Sequence, residues 1–167
     1  IQVLENIPTG YVYTISEKNN STEVDEDNVL MFTKDTGKLS EIQHREKYFD
    51  DFKRENLLPN KLSQLGSGVS WGDIDGDGDN DVYVGSASGF PGRIYVNNGS
   101  GDFTENLQLV FNNDAKYEDM GSIFIDPDGD GDLDLFVVSG GVECQPGDKI
   151  LQDRLYLNDG YGRFSRA

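Results

Sequence analysis

Five aspartates occupy every second position of the run DIDGDGDND, Asp73 to Asp81, and five more do the same in DPDGDGDLD, Asp126 to Asp134. Carboxylate oxygens are hard, anionic ligands. So dense a set in one short loop suits Ca2+, which takes roughly six to eight oxygen ligands in a flexible shell. Numbered from the first aspartate, positions 1, 3 and 5 can present side chains to one ion: Asp73, Asp75 and Asp77 in the first loop, Asp126, Asp128 and Asp130 in the second. Glycine at position 6 (Gly78, Gly131) permits the sharp turn. Position 7 (Asp79, Asp132) offers its backbone carbonyl, which leaves its side chain to solvent, and position 9 (Asp81, Asp134) can close the shell. The expectation is two Ca2+ sites. Mg2+ fits less well, because it prefers few carboxylates and retained waters. Zinc lacks its usual histidine and cysteine ligands.

The opening D-x-D-x-D-G is that of an EF-hand, but the remainder is not. An EF-hand needs glutamate at position 12 and a helix on each side. Position 12 is Val84 in one loop and Val137 in the other, and the flanks are strand-like. Paired carboxylates also serve glycoside hydrolysis. Here they are confined to tight loops, no Ser/His/Asp set is apparent, and GSGVSWGD lacks the lysine of a phosphate-binding loop. The reading is therefore not an enzyme. His44, the single histidine, reads as a structural or surface residue, and Cys144 as a buried or idle thiol; a single cysteine excludes an internal disulfide.

The two loops recur at one register within a longer unit. Val69-Ser70-Trp71 precedes the first loop, and Val82-Tyr83-Val84 follows it; RIYVNNGSGDF completes the unit. In the second copy Ser122 to Ile125 precede the loop, Leu135 to Val138 follow, and RLYLNDGYGRF completes it. These runs read as four short strands per unit, with Asn98-Gly99 or Asp159-Gly160 forming a tight hairpin between the last two. A four-stranded antiparallel meander is one propeller blade. The fold class expected is all-β: two clear four-stranded antiparallel propeller-type blades plus a degenerate third, an incomplete propeller that is a fragment or an assembling subunit.

The chain divides accordingly. Residues 1–17 read as β-strands, the end of a preceding domain or a donated strand, and 18–28 as an acidic linker. Residues 29–65 read as a connecting segment, with one helical turn, or as a degenerate blade. Residues 66–119 are the first calcium-loop repeat and 120–167 the second. The start at Ile1, without Met or signal peptide, suggests a mature product or a piece of something longer.

Composition narrows the partners. Against 14 Lys and Arg stand 31 Asp and Glu, a net charge of −17. That charge repels nucleic acid and anionic membranes and favours cations. Aromatic residues reach 11%, too many for a disordered acidic chain. No apolar run has the roughly 20 residues of a transmembrane segment.

Loops, flanking strands and hairpins together resemble FG-GAP/VCBS repeats, the calcium-loop blades of integrin-α-like β-propellers, over residues 66–167. The resemblance implies Ca2+ ligands at Asp73, Asp75, Asp77 and Asp81 with the carbonyl of Asp79, and at Asp126, Asp128, Asp130 and Asp134 with the carbonyl of Asp132. FDDFKRENLLPNKLSQLG and DRLYLNDGYGRF are also similar to bacterial secreted proteins that join VCBS repeats to an ASPIC/UnbV domain. The function this implies is a calcium-binding, secreted or cell-surface β-repeat module for adhesion or for a protein or glycan ligand, bound through Ser86 to Gly92 and Ser139 to Gln152. One alternative is a homo-oligomer or extracellular filament assembled through strand edges, since two blades cannot close a ring of roughly four to eight. Another is the accessory propeller of a larger secreted enzyme.

Overall fold

Strands form where the repeat alternates β-branched and aromatic residues between turns rich in aspartate and glycine. A computed structural model describes residues 42–167. The first sheet runs β1 (Val69–Gly72), β2 (Asp81–Val84), β3 (Arg93–Asn97), β4 (Phe103–Asn106), and the second β5 (Asp119–Ile125), β6 (Asp134–Ser139), β7 (Arg154–Asn158), β8 (Phe164–Arg166). Each is a four-stranded antiparallel meander in sequence order. The fold is all-β, an incomplete set of propeller-type blades. A short helix α1 (Asp51–Arg54) precedes the first blade, and α2 (Leu109–Asn113) joins the two. The expected helical turn is α1; α2 was not foreseen.

Residues 42–68 carry no strand. The described part of the segment read as a degenerate blade is thus coil with one helical turn. The strands expected in 1–17, the linker 18–28 and residues 29–41 lie outside the described residues.

The hairpins differ from the two-residue turn expected of Asn-Gly. Asn97 pairs with Phe103 and Asn158 with Phe164, so each loop spans five residues. The reason lies in the first loop residue. Asn98 Oδ1 accepts the amides of Ser100 (3.0 Å) and Asp102 (3.2 Å), and Asp159 Oδ1 those of Tyr161 (3.1 Å) and Arg163 (3.3 Å). The side chain caps a wider loop.

The blades join face to face. Tyr83 and Ile94 of the first blade and Ile74 of its loop form one buried cluster with Phe111 of α2 and with Leu135, Val137, Tyr156 and Phe164 of the second. Full burial of an aliphatic side chain of this size contributes about 1.5–3 kcal/mol. This cluster therefore supplies most of the apolar cohesion between blades. β1 and β5 lie beside each other, with Ser70 Oγ 2.6 Å from Ser122 Oγ. The approach is close at Gly68, where a Cβ would stand 2.6 Å from Ser122 N.

A buried polar network crosses the same junction. Asp119 Oδ2 accepts from Tyr83 Oη (2.9 Å) and Ser86 N (3.0 Å), while Oδ1 pairs with Arg154 Nη2. Arg154 also donates to Ser139 Oγ (3.0 Å) and Tyr156 Oη (3.0 Å), and Tyr156 donates to Asp114 Oδ2 (2.9 Å). Arg166 pairs with Asp114 at 2.7 Å, and the Tyr117 ring lies near both guanidinium groups. Arg154 and Asp119 are 3% and 2% exposed, so their charges are met by each other and not by water.

Candidate metal centres

Each aspartate loop connects the first two strands of a blade, and its first residue shapes it. Gly76 N–H donates to Asp73 Oδ1 (2.8 Å) and Gly78 N–H to Oδ2 (2.9 Å). The second loop repeats this, with Gly129 donating to Asp126 Oδ1 (2.8 Å) and Gly131 to Oδ2 (3.2 Å). The donors at positions 4 and 6 sit at positive φ, +76° and +93° in the first loop, +77° and +95° in the second. Only glycine adopts these angles without cost, so both loops need two glycines, not one.

The chain thus curls its carboxylates toward a common point. One oxygen from each of Asp73, Asp75 and Asp81 lies within 4.8 Å of the others, and the same holds for Asp126, Asp128 and Asp130. Two ligands at about 2.4 Å from one Ca2+ can be at most about 4.8 Å apart, so both trios meet the spacing that a single ion requires. Asp77 falls outside the first trio and Asp134 outside the second. Asp79 and Asp132 turn the other way, toward the hairpin loops. A Cβ at Gly99 or Gly160 would meet their Oδ2 at 2.5 Å. Their side chains are half-buried there, not free in solvent.

The residue at position 9 is the deepest. Asp81 and Asp134 are both fully buried. Asp81 accepts from Asn97 N (2.8 Å) and Ile74 N (3.1 Å), and Asp134 from Asn158 N (2.7 Å). Burial raises both carboxyls above the usual carboxylate range, against the lowering effect of these amides. Asp75 is raised by burial and then by Asp77 and Asp73. Asp75 Oδ1 and Asp134 Oδ2 are buried with no hydrogen-bond partner. Asp75 Oδ1 lies among converging carboxylates and Asp134 Oδ2 close beside them; such orphaned anionic oxygens fit a hard cation, which would offset the repulsion that adds to burial in raising these groups.

Sequence reading missed the residue linking the centres. Asn158 Nδ2 donates to Ile74 O (2.7 Å) in the first loop and to Leu133 O (3.1 Å) in the second. Its place in the repeated R-[IL]-Y-[VL]-N was visible; its long-range partner was not. His44 is tied to Gly85 O (3.2 Å), Ser67 Oγ (3.1 Å) and Glu46 (2.6 Å), a structural role. Cys144 is a free thiol. In the expected ligand loop Ser86 to Gly92, Ser86 and Ala87 are buried, and Gly89 N bonds Ala115 O (2.7 Å). That loop serves the junction between blades.

Glu118, beside the junction, supplies a pH test. Burial, then Glu143, Glu46 and Asp119, push its carboxyl up to about 7, with His44 opposing. Its folded form thus holds a proton that the unfolded chain has lost. The resulting stability is fully present below the ordinary carboxylate range and disappears as pH rises through about 7. Glu118→Gln should flatten this dependence. Between about pH 5 and pH 8 the wild-type melting midpoint should fall by more than the variant's, and parallel profiles would contradict the assignment.

Residues 73–137 match the FG-GAP-like repeat family. The match begins at the first aspartate of one loop and ends in the strand after the other, and the chain carries an FG-GAP-like repeat there. It does not extend to an ASPIC/UnbV association. No curated protein and no solved structure gives a significant match. FG-GAP repeats are typical of extracellular or surface proteins. Among the described residues no helix is long and apolar enough to cross a membrane.

Proposed function

From the FG-GAP-like repeat as premise, we propose that this chain is a Ca2+-binding extracellular module whose two aspartate loops each hold one ion. The observation that carries the reading is the double convergence of three carboxylates within the reach of one cation. Asp73, Asp75 and Asp81 would hold the first ion, with Asp77 and the Asp79 carbonyl in reserve. Asp126, Asp128 and Asp130 would hold the second, with Asp134 and the Asp132 carbonyl. The ions offset the repulsion of ten clustered carboxylates and tie the first two strands of each blade together. Calorimetric titration should find two Ca2+ per chain, falling to one in Asp73→Ala or Asp126→Ala and to none in the double variant. A wild-type chain that takes up no Ca2+ would remove the proposal.

For the protein or glycan ligand, a cleft of about 460 Å³ lined by Arg45, Arg93, Tyr95, Phe103 and Glu105 is of ligand size. No catalysis is proposed for this chain.

Self-association is a second reading, favoured by one observation. Tyr83, Ile94 and Val96 of the first blade cover the second. Their equivalents in the second blade are Phe136, Leu155 and Leu157, only half-buried, beside the exposed Ile123 and Val138. The second blade thus presents the face by which the first one docks. Another copy could occupy it head to tail, through a sheet face instead of a strand edge. Sedimentation over a concentration series, with and without Ca2+, tests this; a strict monomer in both removes it.

A further inference from the structure

The two loops are not equivalent, and one difference between them is a single backbone hydrogen. At position 9 both blades bury an aspartate completely. In the first loop both oxygens of Asp81 are met, one by Asn97 N and the other by Ile74 N. In the second, Asn158 N meets Asp134 Oδ1, but the residue equivalent to Ile74 is Pro127. Proline has no N–H to give. Asp134 Oδ2 is accordingly buried without a partner, outside the trio of Asp126, Asp128 and Asp130 but close enough to feel their charges.

We propose that Pro127 makes the second loop the cation-dependent joint of the molecule: it withholds the backbone donor that satisfies Asp81 in the first loop, so that only a bound cation completes Asp134. This deepens the Ca2+ reading and rests on it. An unmet buried anionic oxygen raises the free energy of the cation-free fold. A cation that meets it binds more tightly by the strain it relieves. The first loop also has an orphan, Asp75 Oδ1, but Asp75 sits half-buried on the loop itself, closer to solvent than Asp134. Asp134 stands on β6 beneath the hairpin, with no such outlet. The second site is therefore the tighter of the two, and its ion contributes more to stability.

The test gives the second loop the first loop's residue. Pro127→Ile should raise the melting midpoint in EDTA relative to its midpoint in Ca2+, so that the Ca2+-induced rise shrinks against wild type. Loss of proline's rigidity acts through the unfolded chain and is common to both conditions, so the difference between them is the readout. Asp126→Ala should remove more of the Ca2+-induced rise than Asp73→Ala does. Both residues hold their loops with the same pair of amides, so loop damage cancels, and this comparison stands even where Pro127→Ile fails to fold. A rise of wild-type size in Pro127→Ile, with equal losses in the two alanine variants, overturns the inference while leaving the Ca2+ reading intact. A wild-type chain with no Ca2+-induced rise overturns both.

Discussion

Replacing Arg154 with methionine should destabilise the chain by about 3–5 kcal/mol, the usual cost of breaking a buried ion pair from one side. The methionine fills much of the volume but leaves Asp119 charged, 2% exposed and without its cation. It also removes donors from Ser139 and Tyr156. The internal control is Arg93, which occupies the same place in the first repeat. Arg93 pairs with Glu105 at 3.1 Å, but both side chains are about a third exposed. Arg93→Met should therefore cost under about 1 kcal/mol. Urea denaturation of both variants measures the difference. Equal losses would mean that the Arg154 network does not hold the blades together.

A second large effect is expected at Asp81, and it separates two roles of one carboxylate. Asp81→Ala strands the amides of Ile74 and Asn97, each worth about 1–3 kcal/mol when left unmet in the interior. The variant should lose at least about 2 kcal/mol in EDTA, where no ion contributes. In Ca2+ the loss should be larger, because a ligand goes as well. Asp77→Ala, on the exposed part of the loop, gives up only the bond from Asp79 N and should lose far less in EDTA. If Asp81→Ala were silent in EDTA, position 9 would be a ligand and nothing more.

Much of this architecture is legible in the sequence. Strand positions follow from period-two runs such as DVYV and RIYV bounded by Asp-Gly loops, and the second copy fixes their register. The candidate ligands are legible for the same reason, since local spacing alone brings positions 1, 3 and 5 around one loop. What stays hidden depends on distant partners. Arg93 and Arg154 open the same motif, yet one lies at the surface and the other within the junction. No local signal separates them, because the partner Asp119 lies 35 residues from Arg154. The hairpins differ from expectation because Asn-Gly is also the signal of a shorter turn, and the capping of amides two and four residues on by Asn98 and Asp159 is a property of the closed loop. Pro127 was visible in DPDGDGDLD, but its meaning needed the burial of Asp134.

The aspartate loops are proposed to hold cations that hold the fold. This is tested most directly by thermal unfolding in excess EDTA against the same chain in Ca2+. At Ca2+ about 100-fold above Kd, each occupied site should add about 2.7 kcal/mol. A large upward shift in midpoint is expected, abolished in Asp73→Ala/Asp126→Ala. A midpoint that is the same in EDTA and in Ca2+ would contradict it and leave the ten aspartates as solvated turns.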